Sequence, residues 1–310
     1  MKRILLLYYS QSGEADRTAA VFREELEAAG HLVITARLRP EPDYPYPWRS
    51  IRRFFDVMPE TQLGRPPSVS LPELGPSPSF DLVILVVPIW FLSPAPPVQG
   101  FFRMAEAAAL RGAPVLTVTV SRAMWQQGSE TLKRLLAAAG ARHIDNVVVT
   151  HRGSPVATLI STPLALLSGK QGRFMGIFPE SGVAEADRQR VRRLARLAAT
   201  RLNSRDAVSG SLLAGEPAVR VRRWLIGPEL LGWYCFHGWA RLIDGLGRLG
   251  ATPRAIGVWG FALFLPILIL VGLALTLIGT PILYVLAKPW VERTAARLAA
   301  PTGEAAAIRA

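Results

Sequence analysis

The sequence predicts an α/β fold with a doubly wound, five-stranded parallel sheet, followed by a C-terminal helical appendage that associates with a membrane. Three observations carry this prediction. Strand-like and helix-like segments alternate over about the first 200 residues, as in parallel sheets covered by helices. The run 81–87 is apolar after its first residue, which is typical of a strand buried on both faces. Residues 255–287 carry no charge, a stretch long enough to enter or cross a bilayer.

The first 38 residues predict a strand, a helix and a second strand. Large apolar residues after Arg3 form a buried strand that ends at Ser10, and a helix is predicted over 14–29. Gly30 is the expected stop of this helix, because glycine favours the left-handed conformation found there. The second strand is predicted over 31–38. The apolar face of the helix consists of Ala19, Phe22, Leu26 and Ala29.

The later elements continue the alternation. Ser129 is the expected N-cap of one helix and Gly140 its stop. A last helix is basic and amphipathic, so one face should pack on the sheet. The strands are predicted over 81–87, 114–120 and 144–150, and the helices over 97–110, 129–139 and 185–202.

Composition divides the chain into four segments. Connections as long as the two inserts in the α/β domain are usually functional or disordered. Phe54 and Phe55 in the first insert indicate a packed lid, and the apolar residues 156–167 in the second predict a cover over a substrate or a contact with a bilayer. The segments are the α/β domain 1–205 with inserts 39–79 and 151–182, a basic tryptophan-rich segment 206–254, the hydrophobic segment 255–287 and a basic, alanine-rich tail 288–310.

Three loops at the carboxyl ends of predicted strands carry the functional signal. The first is a serine and glycine loop that opens a helix, where amide groups and the helix dipole favour a phosphate. Such ends meet at the edge where open α/β sheets bind ligands. The loops are Ser10-Gln11-Ser12-Gly13, Pro88-Ile89-Trp90-Phe91 and Ser121-Arg122-Ala123-Met124-Trp125.

On these motifs the chain resembles the flavodoxin-like family of FMN-binding proteins and quinone or NAD(P)H oxidoreductases. The resemblance covers about residues 1–200 and implies that the three loops hold FMN, with Ser10 to Gly13 at the phosphate and Trp90 near the isoalloxazine. It also implies an NAD(P)H reductant and a homodimer as open alternatives. The family commonly has Asn or Thr after the glycine, whereas Glu14 and Ala15 stand here. Glu14 would repel a phosphate if it pointed inward, and Arg17 or Thr18 would have to compensate.

A narrower resemblance is to the flavin-dependent aromatases of dialkylresorcinol biosynthesis. It rests on Tyr8-Tyr9 before the first loop, on Arg122 to Trp125 and on the hydrophobic tail. It implies oxidation of a cyclohexanedione-type polyketide intermediate to an aromatic resorcinol.

Several site residues have two interpretations. Trp90, Phe91 and Trp125 either wall a flat apolar ring or pack as ordinary core. Arg122 either stabilises a reduced, anionic flavin or is a solvated surface arginine. His151 is the candidate acid or base, because it ends the fifth strand on the ligand-binding edge, although single histidines are more often structural. No histidine pair has the spacing of metal ligands.

Charge and cysteine content limit the functional classes. The net charge is +13, and arginines concentrate before the hydrophobic segment, so anionic membrane lipids are the expected partner and nucleic acid is not. One cysteine and no signal peptide favour a domain on the cytoplasmic face. Cations flank both ends of 255–287, and the segment contains Pro266 and Pro281. Both a re-entrant hairpin and a single transmembrane helix remain open.

These features favour an FMN-dependent oxidoreductase acting on a small lipophilic substrate, such as a quinone or a polyketide-derived ring. Two other classes remain open. One is an electron-transfer protein, which a strongly basic, membrane-held chain fits poorly. The other is a flavin-free, membrane-anchored interaction module, which the Glu14-Ala15 departure supports.

Overall fold

The computed structural model describes residues 1–72, 74, 79–151, 153, 165–169, 182–204 and 208–302. Its main sheet has five parallel strands in the order β2-β1-β5-β7-β8. These are β1 (Arg3–Tyr8), β2 (Leu32–Arg37), β5 (Leu82–Trp90), β7 (Pro114–Ser121) and β8 (Arg142–Thr150). The parallel sheet and its five strands are therefore as predicted.

Three short strands lie outside the parallel core. A two-residue strand, β6 (Ser93–Pro94), turns back antiparallel on the end of β5. The insert 39–79 holds a separate antiparallel pair, β3 (Arg39–Glu41) and β4 (Ser68–Ser70). It also holds two short helices, α2 (Ile51–Phe55) and α3 (Met58–Leu63).

Helices cover both faces of the sheet. Helix α1 (Glu14–Ala28) packs beside α6 (Glu185–Asn203) on one face, and α4 (Pro96–Phe101) and α5 (Gln126–Ala138) lie on the other. The central strand β5 is buried from Leu82 to Val87, which explains its unbroken apolar sequence. A buried glutamate, Glu25, joins α1 to the arginines of α6.

Two helix predictions need correction. The helix predicted over 97–110 is broken into α4 and a 3₁₀ turn over Ala105–Leu110. The helix predicted to begin at the N-cap Ser129 begins at Gln126, and Ser129 is buried inside its first turns. A carboxylate from a distant part of the chain accepts an amide of this helix end, so no local cap was needed.

The C-terminal part is helical and folds back on the domain. After a 3₁₀ turn at Arg223–Leu225 follow α7 (Ile226–Leu249) and α8 (Ala251–Ala274), which pack together. The tail then passes through a π-helical segment, Leu275–Gly279, into α9 (Thr280–Leu286) and α10 (Lys288–Ala299). Residues 251–279 are long and apolar enough to cross a membrane, and only 11% of their most apolar window is buried.

The predicted cover over 156–167 falls mainly on residues outside the described ranges. A helical turn at 165–168 is described, and its carbonyls at Leu166 and Leu167 accept the amides of Trp48 and Arg49. This turn therefore closes against the first insert.

Candidate functional site

The three predicted loops lie side by side at the carboxyl edge of the sheet. Strand β1 pairs with β5, and β5 pairs with β7, so the segments that follow these strands are neighbours. Counted over the parallel strands alone, the order is 2-1-3-4-5, and ligands of such sheets bind where the order reverses, between the first and third strands. The fold is flavodoxin-like.

The first loop of this flavodoxin-like domain is a tight turn that opens α1. The Ser10 hydroxyl accepts the Gly13 amide at 3.1 Å, and Gly13 has a φ of 88°, a conformation that favours glycine. Arg37 donates to the Ser10 carbonyl at 3.0 Å and Gln11 donates to the Pro45 carbonyl at 2.8 Å. The turn is thus held from outside as well as from within.

Glu14 does not stand as an isolated charge at this helix end. Its carboxylate is buried, forms an ion pair with Arg17 at 2.5 Å and accepts the Val183 amide at 3.5 Å. The guanidinium of Arg17 also lies over Gly13, where an added Cβ would be 3.3 Å from it. Of the two residues expected to compensate, Arg17 is in place. Thr18 is not, because its hydroxyl donates to the Glu14 carbonyl at 2.9 Å.

The second loop places Trp90 inside an aromatic wall. The ring of Trp90 lies edge-on to three rings, one directly after β1 and two in the first insert. This is a favourable arrangement of aromatic quadrupoles. These contacts exclude water from one side of Trp90. The neighbours are Tyr9 at 5.8 Å, Tyr44 at 5.2 Å and Trp48 at 6.2 Å between centroids.

A strained turn follows Trp90. Phe91 and Leu92 both have positive φ, at 47° and 63°, which is costly for side chains of this size. The Phe91 carbonyl accepts the amide of Gln62, and an added Cβ on Gly232 of α7 would be 3.2 Å from Leu92. The turn holds the Phe91 ring 5.2 Å from Phe54 and 6.5 Å from Phe236 of α7. It therefore joins the sheet edge to the C-terminal helices.

The third loop brings a half-buried cation, Arg122, to the same edge. The Ser121 hydroxyl donates to the Met124 carbonyl at 2.8 Å. Burial lowers the pKa of Arg122 to about 10, and the nearby Glu229 opposes this shift. Arg122 is half-buried at this edge, so it is not fully solvated, and its role toward a flavin stays a prediction.

Trp125 lies apart from the other loop residues. It is buried in a cluster with Val148 of β8, Ile226 of α7 and Val291 of α10. Its assignment as a flavin contact stays a prediction, and its placement is that of a core residue.

Sequence reasoning missed Glu229. This α7 residue is fully buried, and its Oε1 accepts the Gln127 amide at the start of α5 at 2.8 Å. Its Oε2 has no hydrogen-bond partner among the described residues. Burial raises the pKa of Glu229 to about 8. The backbone amides at the start of α5 and the charge of Arg122 lower this pKa but do not outweigh burial. The available signal was a lone acid within the otherwise uncharged run from Trp224 to Trp239.

His151 lies behind the loops at the end of β8. Its amide donates to the Ser121 carbonyl at 3.0 Å, and it bridges to Val183. Burial lowers the pKa of the ring to about 4; Glu14 raises it and Arg122 lowers it further. The ring is neutral at pH 7, and Nδ1 has no partner in the described part of the chain. A proton-accepting role for His151 stays a prediction.

A cavity of about 270 Å³ joins the loops to α8. Its far wall consists of apolar residues of α7 and α8, with Phe54, Phe55 and Leu166 at the side. The predicted site residues that line it are Gln11, Ile89, Trp90, Phe91, Ser121, Arg122 and Met124. Ser10, Ser12, Gly13, Pro88, Trp125 and His151 do not line it, and the first three form the turn at α1.

The residues present fit a flavin mononucleotide. A flat, apolar ring in the cavity would meet an aromatic wall and the cation Arg122. Pockets of this character bind such rings. A terminal phosphate at the turn before α1 would meet the N-terminus of this helix, with Arg17 above it. Two features oppose an anion there. The buried Glu14 carboxylate already pairs with Arg17, and the Gly13 amide already donates to the Ser10 hydroxyl. Within the described residues, no cluster of His, Cys, Asp or Glu could hold a metal ion.

Known proteins give only structural likenesses. No model of a known protein family matches this chain, and no curated protein matches it significantly. Among solved structures it is similar to a putative flavoprotein from Bacteroides eggerthii, at 20% identity and a TM-score of 0.38, over 54% of this chain and 99% of that one. It is also similar to a flavodoxin from the domain Archaea, at 10% identity and a TM-score of 0.36, over 65% and 99%. A WrbA-like flavodoxin from Agrobacterium tumefaciens is similar at 13% identity and a TM-score of 0.35, over 66% of this chain and 99% of that one.

Proposed function

We propose that this chain is a membrane-associated, FMN-dependent oxidoreductase that acts on a small lipophilic substrate from the cytoplasmic face. One observation carries the proposal. A single apolar cavity is bounded by residues of the three ligand-binding loops on one side and by the exposed apolar helix α8 on the other. A redox group held by the loops would therefore face a compartment suited to a quinone or a polyketide-derived ring.

We assign the following roles to residues of the chain. Ser10, Ser12 and Gly13, with Arg17, would bind the phosphate, and Trp90 would exclude water from the ring. Arg122 would hold an anionic oxygen of flavin or substrate, because a half-buried cation attracts it more strongly than a fully solvated one. A bound flavin supplies hydride transfer.

The substrate class we propose in finer detail is a cyclohexanedione-type ring, oxidised to a dialkylresorcinol. Aromatisation removes a hydride and a proton from the ring, so the site needs a proton acceptor besides the flavin. The candidate acceptor is the neutral ring of His151, whose Nδ1 has no partner among the described residues. His151 lies behind the loops and does not line the cavity, so it would not touch a substrate held there directly. If the substrate is instead a quinone, the substrate is reduced rather than oxidised, and NAD(P)H would supply the electrons.

The direct test is the visible spectrum of the full chain purified in detergent. We expect a yellow protein that binds FMN with a defined stoichiometry and is bleached by NAD(P)H or by a reduced lipophilic substrate. A yellow protein that exchanges electrons only with another protein would indicate a carrier. A colourless protein that stays apo with excess FMN would overturn the proposal. Light scattering of the same sample would test the expected homodimer.

The flavin-free interaction module remains a second candidate because of Glu14. The Glu14→Gln variant removes a buried negative charge beside the proposed phosphate and frees Arg17 to pair with it. We expect FMN to bind about tenfold more tightly, since charges at a helix N-terminus contribute about 0.3–2 kcal/mol. Titration calorimetry measures the change, and the exposed Glu27→Gln on the same helix is the control. Weaker binding in Glu14→Gln would show that Glu14 positions the site.

The lipophilic substrate is tested by filling the cavity. Gly272 of α8 lines it and has open space where a Cβ would stand. In Gly272→Phe we expect at least a tenfold lower kcat/KM for a lipophilic quinone, because about one ring volume of the cavity is lost. Gly238→Phe, at an open and exposed site of α7, is the matched control. Equal losses in both variants would count against a substrate in this cavity.

A further inference from the structure

Helix α8 lies along the domain over its whole length. It has 24 residues, or about 36 Å of helix. Its first turn is held by Arg254, which donates to Asp56 and Glu60 at 2.7 Å each. Its middle is held by Phe261, whose ring lies 5.6 Å from Phe55. Its last turn, at Gly272, lines the cavity. A helix that projected from the domain to cross a bilayer would lack these contacts at one end.

The opposite face of α8 is an exposed apolar stripe. We define the outer stripe as Ile256, Trp259, Leu263, Ile267 and Leu270, which are 46–73% exposed. Their spacing of three and four residues places them on one side of the helix. A soluble protein seldom leaves so long an apolar face uncovered.

Both ends of the hydrophobic segment are attached to the same domain. Before it, Arg254 is tied to the first insert. After it, α10 packs on α5 and β8: the Lys133 ammonium donates to the Arg297 carbonyl at 2.9 Å, and Val291 packs in the Trp125 cluster. A single crossing would leave the two ends on opposite sides of a bilayer. The attachments place them on one side.

Charge around the stripe matches one leaflet of an anionic membrane. Arg241 and Arg248 are exposed on α7, which packs along α8, and Lys288 and Arg293 are exposed after the far end of α8. Cations at this position bind anionic headgroups, while an apolar helix face enters the acyl region. The chemistry of stripe and rim together is that of a lipid surface rather than of a second protein.

We propose that α8 is a monotopic helix that lies in the plane of one leaflet, with the outer stripe in the acyl chains and the carboxyl edge of the sheet facing the membrane. The cavity then opens towards lipid. Leu273 supports this, because it lines the cavity and is also 37% exposed on the outer surface. This orientation rests on the membrane association proposed above and does not depend on flavin.

Depth measurements on the full chain test the orientation. In a Cys235→Ser background, a nitroxide is attached singly at Ile256→Cys, Leu263→Cys and Leu270→Cys, and the protein is bound to vesicles of phosphatidylcholine with phosphatidylglycerol. The first and last sites are about 21 Å apart along the helix. An in-plane helix gives three similar depths, within about 5–10 Å of the headgroup boundary. Depths that change steadily by about 20 Å would show a spanning helix and overturn the proposal.

Matched charge variants separate lipid from other partners. Leu263→Glu, in the outer stripe, is expected to lower partitioning into these vesicles at least tenfold. Leu32→Glu, at an exposed site on β2, is expected to change it less than twofold. Labels that are shielded from both oxygen and water in a dimer would assign the stripe to a second copy and overturn the proposal. The visible spectrum of the same samples reports bound flavin separately. An in-plane depth profile from a colourless protein would therefore contradict only the proposed redox function.

Discussion

The Glu229→Gln variant is expected to lose a pH dependence of stability that the natural chain shows. The fold raises the pKa of Glu229 from its ordinary value of 4.5 to about 8, so the folded chain favours the neutral carboxyl. This stabilisation is fully present below pH 4.5 and is lost as the pH rises to about 8. The slope is up to about 1.4 kcal/mol per pH unit. Chemical unfolding in detergent at several pH values measures it.

The cleanest window for this comparison is pH 7 to 8. Below it, the lowered pKa values of His151 and His143 act in the opposite direction, because the unfolded chain takes up those protons first. From pH 7 upward both histidines are largely neutral in both states. The exposed Glu106→Gln serves as control and should follow the natural chain. Parallel curves for Glu229→Gln and the natural chain would mean that Glu229 stays ionised in the fold.

The second large effect is expected from Trp90→Ala. The variant removes the ring on which Tyr9, Tyr44 and Trp48 converge. We expect a loss of about 3 kcal/mol in the free energy of unfolding, the order found for large aromatic truncations. We also expect FMN to bind at least tenfold more weakly, since the wall of the cavity is gone. Unfolding curves and FMN titrations give the two values.

Two further variants make this result specific. Trp90→Phe keeps a ring in the wall and should recover more than half of both losses. Trp290→Ala, at a position 43% exposed on α10, should leave FMN affinity unchanged. If Trp90→Ala lost stability but kept full FMN affinity, Trp90 would be a core residue and not a flavin contact.

The sheet and its loops could be predicted because their signals are local. The unbroken apolar run of β5 requires burial on both faces, and alternation with helices then requires parallel strands. Once this order is set, the turns after Tyr9, Val87 and Val120 must meet at one edge. The edge of the sheet at which a ligand is expected followed from the topology alone.

Contacts between distant segments could not be predicted from the sequence. The start of α5 is fixed by Glu229, 102 residues away, so the local cap at Ser129 was a misleading signal. The charge of Glu14 is balanced by Arg17, but the Val183 amide that also binds it lies 169 residues away. Hydropathy marked residues 255–287 as membrane-seeking without showing that their two ends return to one domain.

The docking of α10 has a practical consequence for anyone seeking a water-soluble form of this protein. Removing the chain from residue 255 onward would take away the carbonyls that receive the Lys133 ammonium and the side chains that cover Trp125. In the shortened protein the Lys133 ammonium would keep the Glu130 carboxylate but lose both carbonyl partners. A new apolar surface would be exposed around Trp125, and the proposed membrane anchor would be lost. Polar replacements at Leu263 and Ile267, with the tail retained, are the gentler route to solubility.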